Sequence, residues 1–247
     1  MNRTTSKKCY PAAAVLALAL GTLSLGAQAT PVIFFGLDAT GSGGANLATQ
    51  PNSDAVRNSF FTNLIGVGTE TFESYTLGTS APLVLSFGSA GTATLTGAGS
   101  LRGSPPTVSN QYGIGNSKYW YANTGNFTIN FSAPIAAFGF YAIDIESEME
   151  LTLTKSGGGT VIIDPGVTTL NSGSIFYFGF FDTTDTYVSI SFNNPSEGDD
   201  LYAFDNMSIG SQQQINPNPV PEPGTIALLG LGLAGLTAAR RRKQKQA

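Results

Sequence analysis

An antiparallel jelly-roll-like β-sandwich with one short helix, framed by two terminal targeting segments, is the fold this sequence predicts. Three observations lead there. Charged residues make up only 11% of the 247-residue chain, which holds Gly 30 and Phe 16, a composition poor in the polar blocks that long surface helices need. Between residues 70 and 209, short apolar runs recur at close spacing. They are separated by Gly, Pro, Asn and Asp clusters such as Gly157-Gly158-Gly159 and Asp164-Pro165-Gly166. Alternation is explicit in Phe127, Ile129, Phe131 and in Val188, Ile190, Phe192, so one face of each of these strands is apolar.

The chain opens with a secretory signal peptide at residues 1–29. Arg3, Lys7 and Lys8 begin it, 12–26 is its apolar run, and Ala27-Gln28-Ala29 is an A-x-A cleavage site that leaves Thr30 as the mature N-terminus. Residues 31–37 read as a short strand and the Gly, Ser and Asn-rich stretch 38–51 as a loop. A helix is expected over 53–64. Ser53 or Asn52 can cap it, Asp54 suits its first turn, and Val56, Phe60 and Leu64 share one face before Gly66 and Gly68 end it.

Strands are then expected at 70–77, 82–87, 91–96, 118–122, 126–131 and 135–145, and again at 149–155, 160–164, 174–182, 186–193 and 200–209. About eleven short strands within one ectodomain, residues 30–210, suit a jelly-roll, in which the first and last strands are neighbours. Residues 103–115 form a long Pro/Gly loop lying over one sheet, and 211–219 (SQQQINPNP) a polar, Pro-spaced linker.

The overall charge of −4 conceals an asymmetry, because both chain ends are basic. Between residues 30 and 219 only Arg57, Arg102, Lys118 and Lys155 stand against fifteen Asp and Glu, a net charge of −11. Nucleic acid and anionic surfaces are bound through basic faces, so this balance argues against both as partners of the exported part. It suits divalent cations and neutral glycans. The single cysteine, Cys9, lies in the leader, so the mature part has no disulfide, thiol nucleophile or cysteine metal ligand. With His 0, Ser-His-Asp chemistry and His-ligated zinc or copper are excluded as well. Gly157-Gly158-Gly159 lacks the Lys-Ser/Thr and the following helix of a phosphate loop, and reads as a hairpin turn.

Residues 220–247 have three parts in fixed order. Val220-Pro221-Glu222-Pro223 comes first, the uncharged run 224–239 follows, and Arg240, Arg241, Arg242, Lys243 and Lys245 close the tail. As a helix, the apolar run would span about 24 Å, a little short of a hydrocarbon core of about 30 Å. The basic residues hold that end on the cytoplasmic side, a stop-transfer arrangement.

The Pro221, Glu222, Pro223 triplet, the short Gly/Leu-rich helix and the Arg240–Arg242 cluster together resemble the PEP-CTERM sorting signal of exopolysaccharide-producing bacteria. The resemblance implies export by the secretion machinery and anchoring in the membrane through the C-terminal helix. It further implies processing by an exosortase-type membrane protease and a final place at the cell surface or in the extracellular matrix. The segments GVGTETFESYTLGT, FSAPIAAFGFYAIDI and DLYAFDNMSIG resemble jelly-roll-like ectodomains that precede this signal, a likeness that lends fold rather than chemistry.

Carboxylates carry what site chemistry remains. Asp205 interrupts the apolar row Leu201, Ala203, Met207, Ile209, and a carboxylate there must be paired or metal-bound. With so few basic residues, a hard cation with oxygen ligands is one partner. Asp205 and Glu73 resemble the Asp and Glu that hold a structural Ca²⁺ between the last and first strands of jelly-roll carbohydrate-binding modules. The other reading has Asp205 accepting backbone amides at a bulge while Glu73 faces water.

Asp144, Glu146, Glu148 and Glu150 recur at period 2 and would share one face of a strand, as a solvated edge, a turn or a cation site. Trp120, between Tyr119 and Tyr121, is either a glycan platform or a core residue. Two functions follow. One is a non-enzymatic surface or matrix protein whose jelly-roll binds or organises extracellular polysaccharide. The other is a carbohydrate-active hydrolase with paired carboxylates, which needs one raised and one ordinary pKa across a cleft.

Overall fold

A computed structural model describes residues 30–216, apart from 42–43, 45, 104–109, 116–117, 124–125, 146–148, 168–169 and 194–200. The leader 1–29, the Pro221-Glu222-Pro223 triplet, the apolar run 224–239 and Arg240–Arg242 lie outside the described residues.

The chain runs β1 (Val32–Asp38), α1 (Pro51–Thr62), β2 (Gly68–Glu70), β3 (Leu83–Ser86), β4 (Thr92–Gly97), β5 (Ser100–Gly103) and β6 (Lys118–Asn123). It continues through β7 (Phe127–Ile135), β8 (Ala137–Ile143), β9 (Glu150–Lys155), β10 (Thr160–Ile163), β11 (Ile175–Phe181), β12 (Tyr187–Asn193) and β13 (Leu201–Gly210). All pairings are antiparallel. One sheet has the order β1-β11-β8-β13-β6-β5, with β2 added beside β13, and the other the order β10-β9-β12-β7-β4-β3. The architecture is a jelly-roll-like sandwich, as the sequence predicts.

The inner faces meet in an aromatic core. Phe138, Phe140, Phe176, Phe178 and Phe204 of the seven-stranded sheet pack against Phe127, Ile129, Leu151, Leu153, Ile190 and Phe192 of the six-stranded one. Phe127 and Phe192 stack at 4.3 Å between centroids, with edges of Phe140 and Phe204 against Phe192. Every residue of β8 (AFGFYAI) and β11 (IFYFGFF) is buried, on both faces of the sheet. That explains their near-continuous apolar sequences: the seven-stranded sheet is the middle of three layers. Its outer face is covered at one side by α1 and at the other by Tyr112 and Ile114 of the long loop.

A second core holds this third layer. Phe60 of α1 meets Phe34, Tyr177 and the facing pair Gly139 and Gly179. Tyr141 donates its hydroxyl to Asp54 at 2.5 Å. The helix begins two residues earlier than the expected 53–64, with Pro51 in its first turn, and neither Ser53 nor Asn52 caps it. Asp38, at the end of β1, accepts the amides of Asn52 at 3.1 Å and Ser53 at 2.8 Å. The Ser53 hydroxyl turns inward to the Gly36 carbonyl at 3.1 Å.

Three other expectations change. Residues 70–77 do not form a strand: β2 stops at Glu70, whose carboxylate takes the amides of Phe72 at 2.7 Å and Ser86 at 2.9 Å, and Phe72 has φ 61. The first and last of the eleven expected strands remain neighbours, since β2, the counterpart of 70–77, pairs with β13, while β1 lies at a sheet edge. The expected strand 135–145 is divided at Ala136, where the chain passes from β7 in one sheet to β8 in the other. The polar stretch 211–219 is not all linker either, because residues 211–216 remain bonded to the domain.

Candidate functional site

Asp205 is fully buried at the bulge where the pairing of β13 with β8 shifts register. One carboxylate oxygen accepts the Ile114 amide at 2.7 Å and the other the Asn206 amide at 2.6 Å, with Asn206 at φ 50. Burial drives its pKa well above the ordinary carboxylate value, against the two amides that lower it, and the negative fields of Glu73 and Glu70 raise it further. Glu73 lies in the loop after β2, not on a strand. Its Oε1 accepts the Lys118 amide at 2.6 Å, and the Lys118 ammonium donates to the carbonyls of Glu73 at 2.9 Å and Tyr75 at 2.7 Å.

Glu73 and Asp205 thus act on each other through their charges. Their donor set fits a cation poorly, because N–H groups hold both Asp205 oxygens and one of Glu73, and a resident ammonium takes the nearby carbonyls. No group of three or more His, Cys, Asp or Glu side chains gathers among the described residues.

The other buried carboxylates serve the same mechanical purpose. Asp182 accepts the amides of Thr184 at 2.8 Å and Asp185 at 3.0 Å and the Tyr187 hydroxyl at 2.6 Å. Asp144 accepts the Gly173 amide at 2.6 Å, the Ser172 hydroxyl at 2.7 Å and the Gln111 side-chain amide. It stands at φ 65 just beyond β8, whereas Glu150 opens β9 in the opposite sheet. Asp144 and Glu150 thus share no strand face, and Glu146, Glu148, Asp199 and Asp200 lie outside the described residues. Buried polar groups must be bonded, and here acids brace loops against strands. Sequence reasoning missed this role for Asp38, Glu70, Asp144 and Asp182, although an Asp or Glu at the end of each apolar run was visible.

Trp120 is 0% exposed. It sits on β6 between Leu101 of β5 and Phe204 of β13, with its ring toward Phe127 at 6.4 Å. A Cβ on Gly99 would lie 2.6 Å from the indole, so this glycine, at φ 125, is shaped to the ring. Tyr119 and Tyr121 point to the opposite face, into the second core. The ring has no open face for a sugar, so of the two readings of Trp120 core packing holds and the glycan platform does not.

Among the described residues, no element covers the outer face of the six-stranded sheet. Cross-strand register builds two ranks on it. Thr160, Thr154, Ser189, Asn130 and Thr94 stand side by side across β10, β9, β12, β7 and β4. Thr152, Ser191, Thr128 and Thr96 form the second rank across β9, β12, β7 and β4. Neighbours within a rank lie about 4.8 Å apart and the ranks about 6.7 Å apart, by strand geometry.

Some of these groups already bond each other, Thr128 to Ser191 at 2.9 Å and Asn193 to Thr152 at 2.9 Å. Val84 and Ile162, each 62% exposed, flank the ranks on the edge strands. No ionisable side chain stands in either rank. Among the described residues, β9 carries charges only at its two ends, Glu150 and Lys155, the latter paired with Asp185 at 2.6 Å.

Comparison with known proteins bears on the fold and on the tail. No curated protein matches the chain. Among solved structures, the chain is similar to the K2 cleaved adhesin domain of Lys-gingipain, at 13% identity and TM-score 0.41, over 58% of this chain and 97% of that one. It is also similar to a family 29 carbohydrate-binding module, at 11% identity and TM-score 0.36, over 64% of this chain and 100% of that one. Both are distant in sequence and in backbone. The tail is closer to something known, since residues 219–243 match the PEP-CTERM protein-sorting motif. The chain is therefore a β-sandwich protein that carries a PEP-CTERM sorting motif at its C-terminal end.

Proposed function

We propose that this chain is an exported, non-catalytic surface protein whose ectodomain binds neutral extracellular polysaccharide along the outer face of its six-stranded sheet. The observation that carries the binding reading is the pair of uncharged ranks, Thr154-Ser189-Asn130-Thr94 and Thr152-Ser191-Thr128-Thr96. Hydroxyl and amide groups donate and accept, as sugar hydroxyls do, while the net negative charge of the ectodomain repels acidic polymers. Single neutral hydrogen bonds contribute only about 0.5–1.5 kcal/mol net of water. Affinity must then come from many contacts repeated along a polymer, and a short oligosaccharide binds weakly.

Export and sorting rest on the motif at 219–243. The apolar run 224–239 anchors the chain until an exosortase-type protease acts, and Arg240, Arg241 and Arg242 keep its end cytoplasmic. The non-catalytic reading is supported by the carboxylates: Asp38, Glu70, Asp144, Asp182 and Asp205 each hold backbone amides instead of facing a cleft.

A glycan array probed with the released, mature protein tests the reading. Retention on neutral polymers and not on acidic ones is expected. Retention confined to acidic glycans, or turnover of a bound glycan, contradicts it.

A further inference from the structure

The two ends of the ectodomain leave from one pole. Val32, Phe181, Ala137 and Gly210 form a single cross-strand row, so β1 begins level with the end of β13, three strand spacings or about 14 Å away. The row Asp38, Ile175, Ile143, Ala203 marks the other pole, about 20 Å distant along the strands.

Beyond Gly210 the chain stays attached. Ser211 and Gln214 close a capping box around the 3₁₀ turn Gln212–Gln214. The Ile65 amide donates to the Gln214 carbonyl at 2.7 Å and the Asn216 amide to the Asn63 carbonyl at 2.7 Å, just past the end of α1. From Asn216 to Pro221 is five residues, a reach of at most about 18 Å. The apolar run begins three residues later, at Gly224. The eight residues from Asn216 to Gly224, which reach at most about 29 Å, thus start from this pole.

Two further features mark this pole. It exposes the aliphatic side chains Val32, Ile33 and Ile65, at 40%, 45% and 59%, as Leu77, Val84 and Ile162 are exposed elsewhere on the domain. Its acids are bonded, Asp182 buried among its donors and Asp185 paired with Lys155. At the opposite pole Glu150 and Asp164 sit at strand ends, besides Asp38 and Asp144, which are buried among their own donors.

We propose that the anchored ectodomain stands on the membrane with this pole down, so that Val32, Ile33 and Ile65 meet the lipid interface and the opposite pole faces outward. The proposal rests on the C-terminal anchor of the sorting reading. A pinned, short tether restricts rotation, burial of the aliphatic side chains favours contact, and anionic lipid repels the acidic pole. The strands of the six-stranded sheet then run away from the membrane, and its outer face stays accessible before processing.

The test uses the leader-cleaved chain, taken from membranes of cells that lack the processing protease. It is placed in vesicles of phosphatidylcholine and phosphatidylglycerol that carry a headgroup-level quencher. With Cys9 gone, the variants Ile65→Cys, Ile33→Cys and Ala39→Cys each give one labelling site. Flotation reports the anchor and quenching reports orientation. Several-fold stronger quenching at residues 65 and 33 than at 39 is expected. Flotation with equal or reversed quenching overturns the orientation and leaves the sorting reading intact. Failure to float overturns the anchor, and the orientation with it.

Discussion

Gly139 and Gly179 face each other across β8 and β11, and the gap they leave is filled by Phe60 of α1. A Cβ on Gly179 would lie 3.1 Å from the Phe60 ring, and one on Gly139 would collide with the Tyr177 hydroxyl. This notch fixes the helix on the sheet, and with it the third layer that hides the outer face of the seven-stranded sheet.

Gly139→Ala is therefore expected to destabilise the domain by about 1–3 kcal/mol, the usual cost of overpacking. Phe60→Ala, which empties the notch, should cost about 3–5 kcal/mol. Urea unfolding of the mature protein measures both. A Gly139→Ala midpoint equal to wild type contradicts the packing described.

Asp205 should make the fold less stable as pH rises. Its folded pKa is raised, so the folded state binds its proton more tightly than the unfolded state. The stability it contributes is full below the unfolded value, near 3.8, and is lost as pH climbs through the folded pKa. Asp205→Asn stays neutral throughout, at the expense of one amide acceptor. The variant should gain on wild type as pH is raised from 4 toward 7, which paired melting curves will read. A constant difference between the two contradicts a raised Asp205.

Calcium should not alter melting of the metal-stripped protein, because amides and the Lys118 ammonium occupy the oxygens of Glu73, Tyr75 and Asp205. A ligand held only by the folded state stabilises it by about 2.7 kcal/mol at a hundredfold excess over Kd. A calcium-dependent rise of that size, abolished by Asp205→Ala, returns Glu73 and Asp205 to the cation site that the sequence suggested. Lys118→Met, by contrast, should lower the melting temperature with or without calcium.

The sorting motif makes a prediction about mass. In cells that contain the processing protease, the mature surface protein should lack the apolar run after Pro223 and the terminal Arg240–Arg242 cluster. Intact mass spectrometry gives the answer, and retention of residues 224–247 contradicts processing.

Alternation and turn chemistry made much of the fold legible. Phe127, Ile129 and Phe131 mark β7, and Gly157-Gly158-Gly159 the turn between β9 and β10, because both signals are local. The tail was legible for the same reason, as Pro221-Glu222-Pro223, the apolar run and Arg240–Arg242 follow one another directly.

The environment of Trp120 was not legible. Tyr119-Trp120-Tyr121 shows that the rings alternate, but a sheet covered on both faces gives no sequence sign of which face meets water. The Asp38 cap acts on an amide 14 residues away, beyond the reach of a local capping rule. The hydroxyl ranks depend on the register of β12 with β7 and with β9, strands that periodicity cannot align.

Those ranks are the centre of the account, and titration of the released ectodomain with a neutral polysaccharide from the producing cells tests them most directly. Wild type should bind, and Asn130→Glu, which puts a charge on an exposed rank position without touching either core, should weaken binding by about tenfold or more, roughly 1.4 kcal/mol. Binding by Asn130→Glu as tight as that of wild type, with both proteins folded, would contradict the assignment of the ligand to this face.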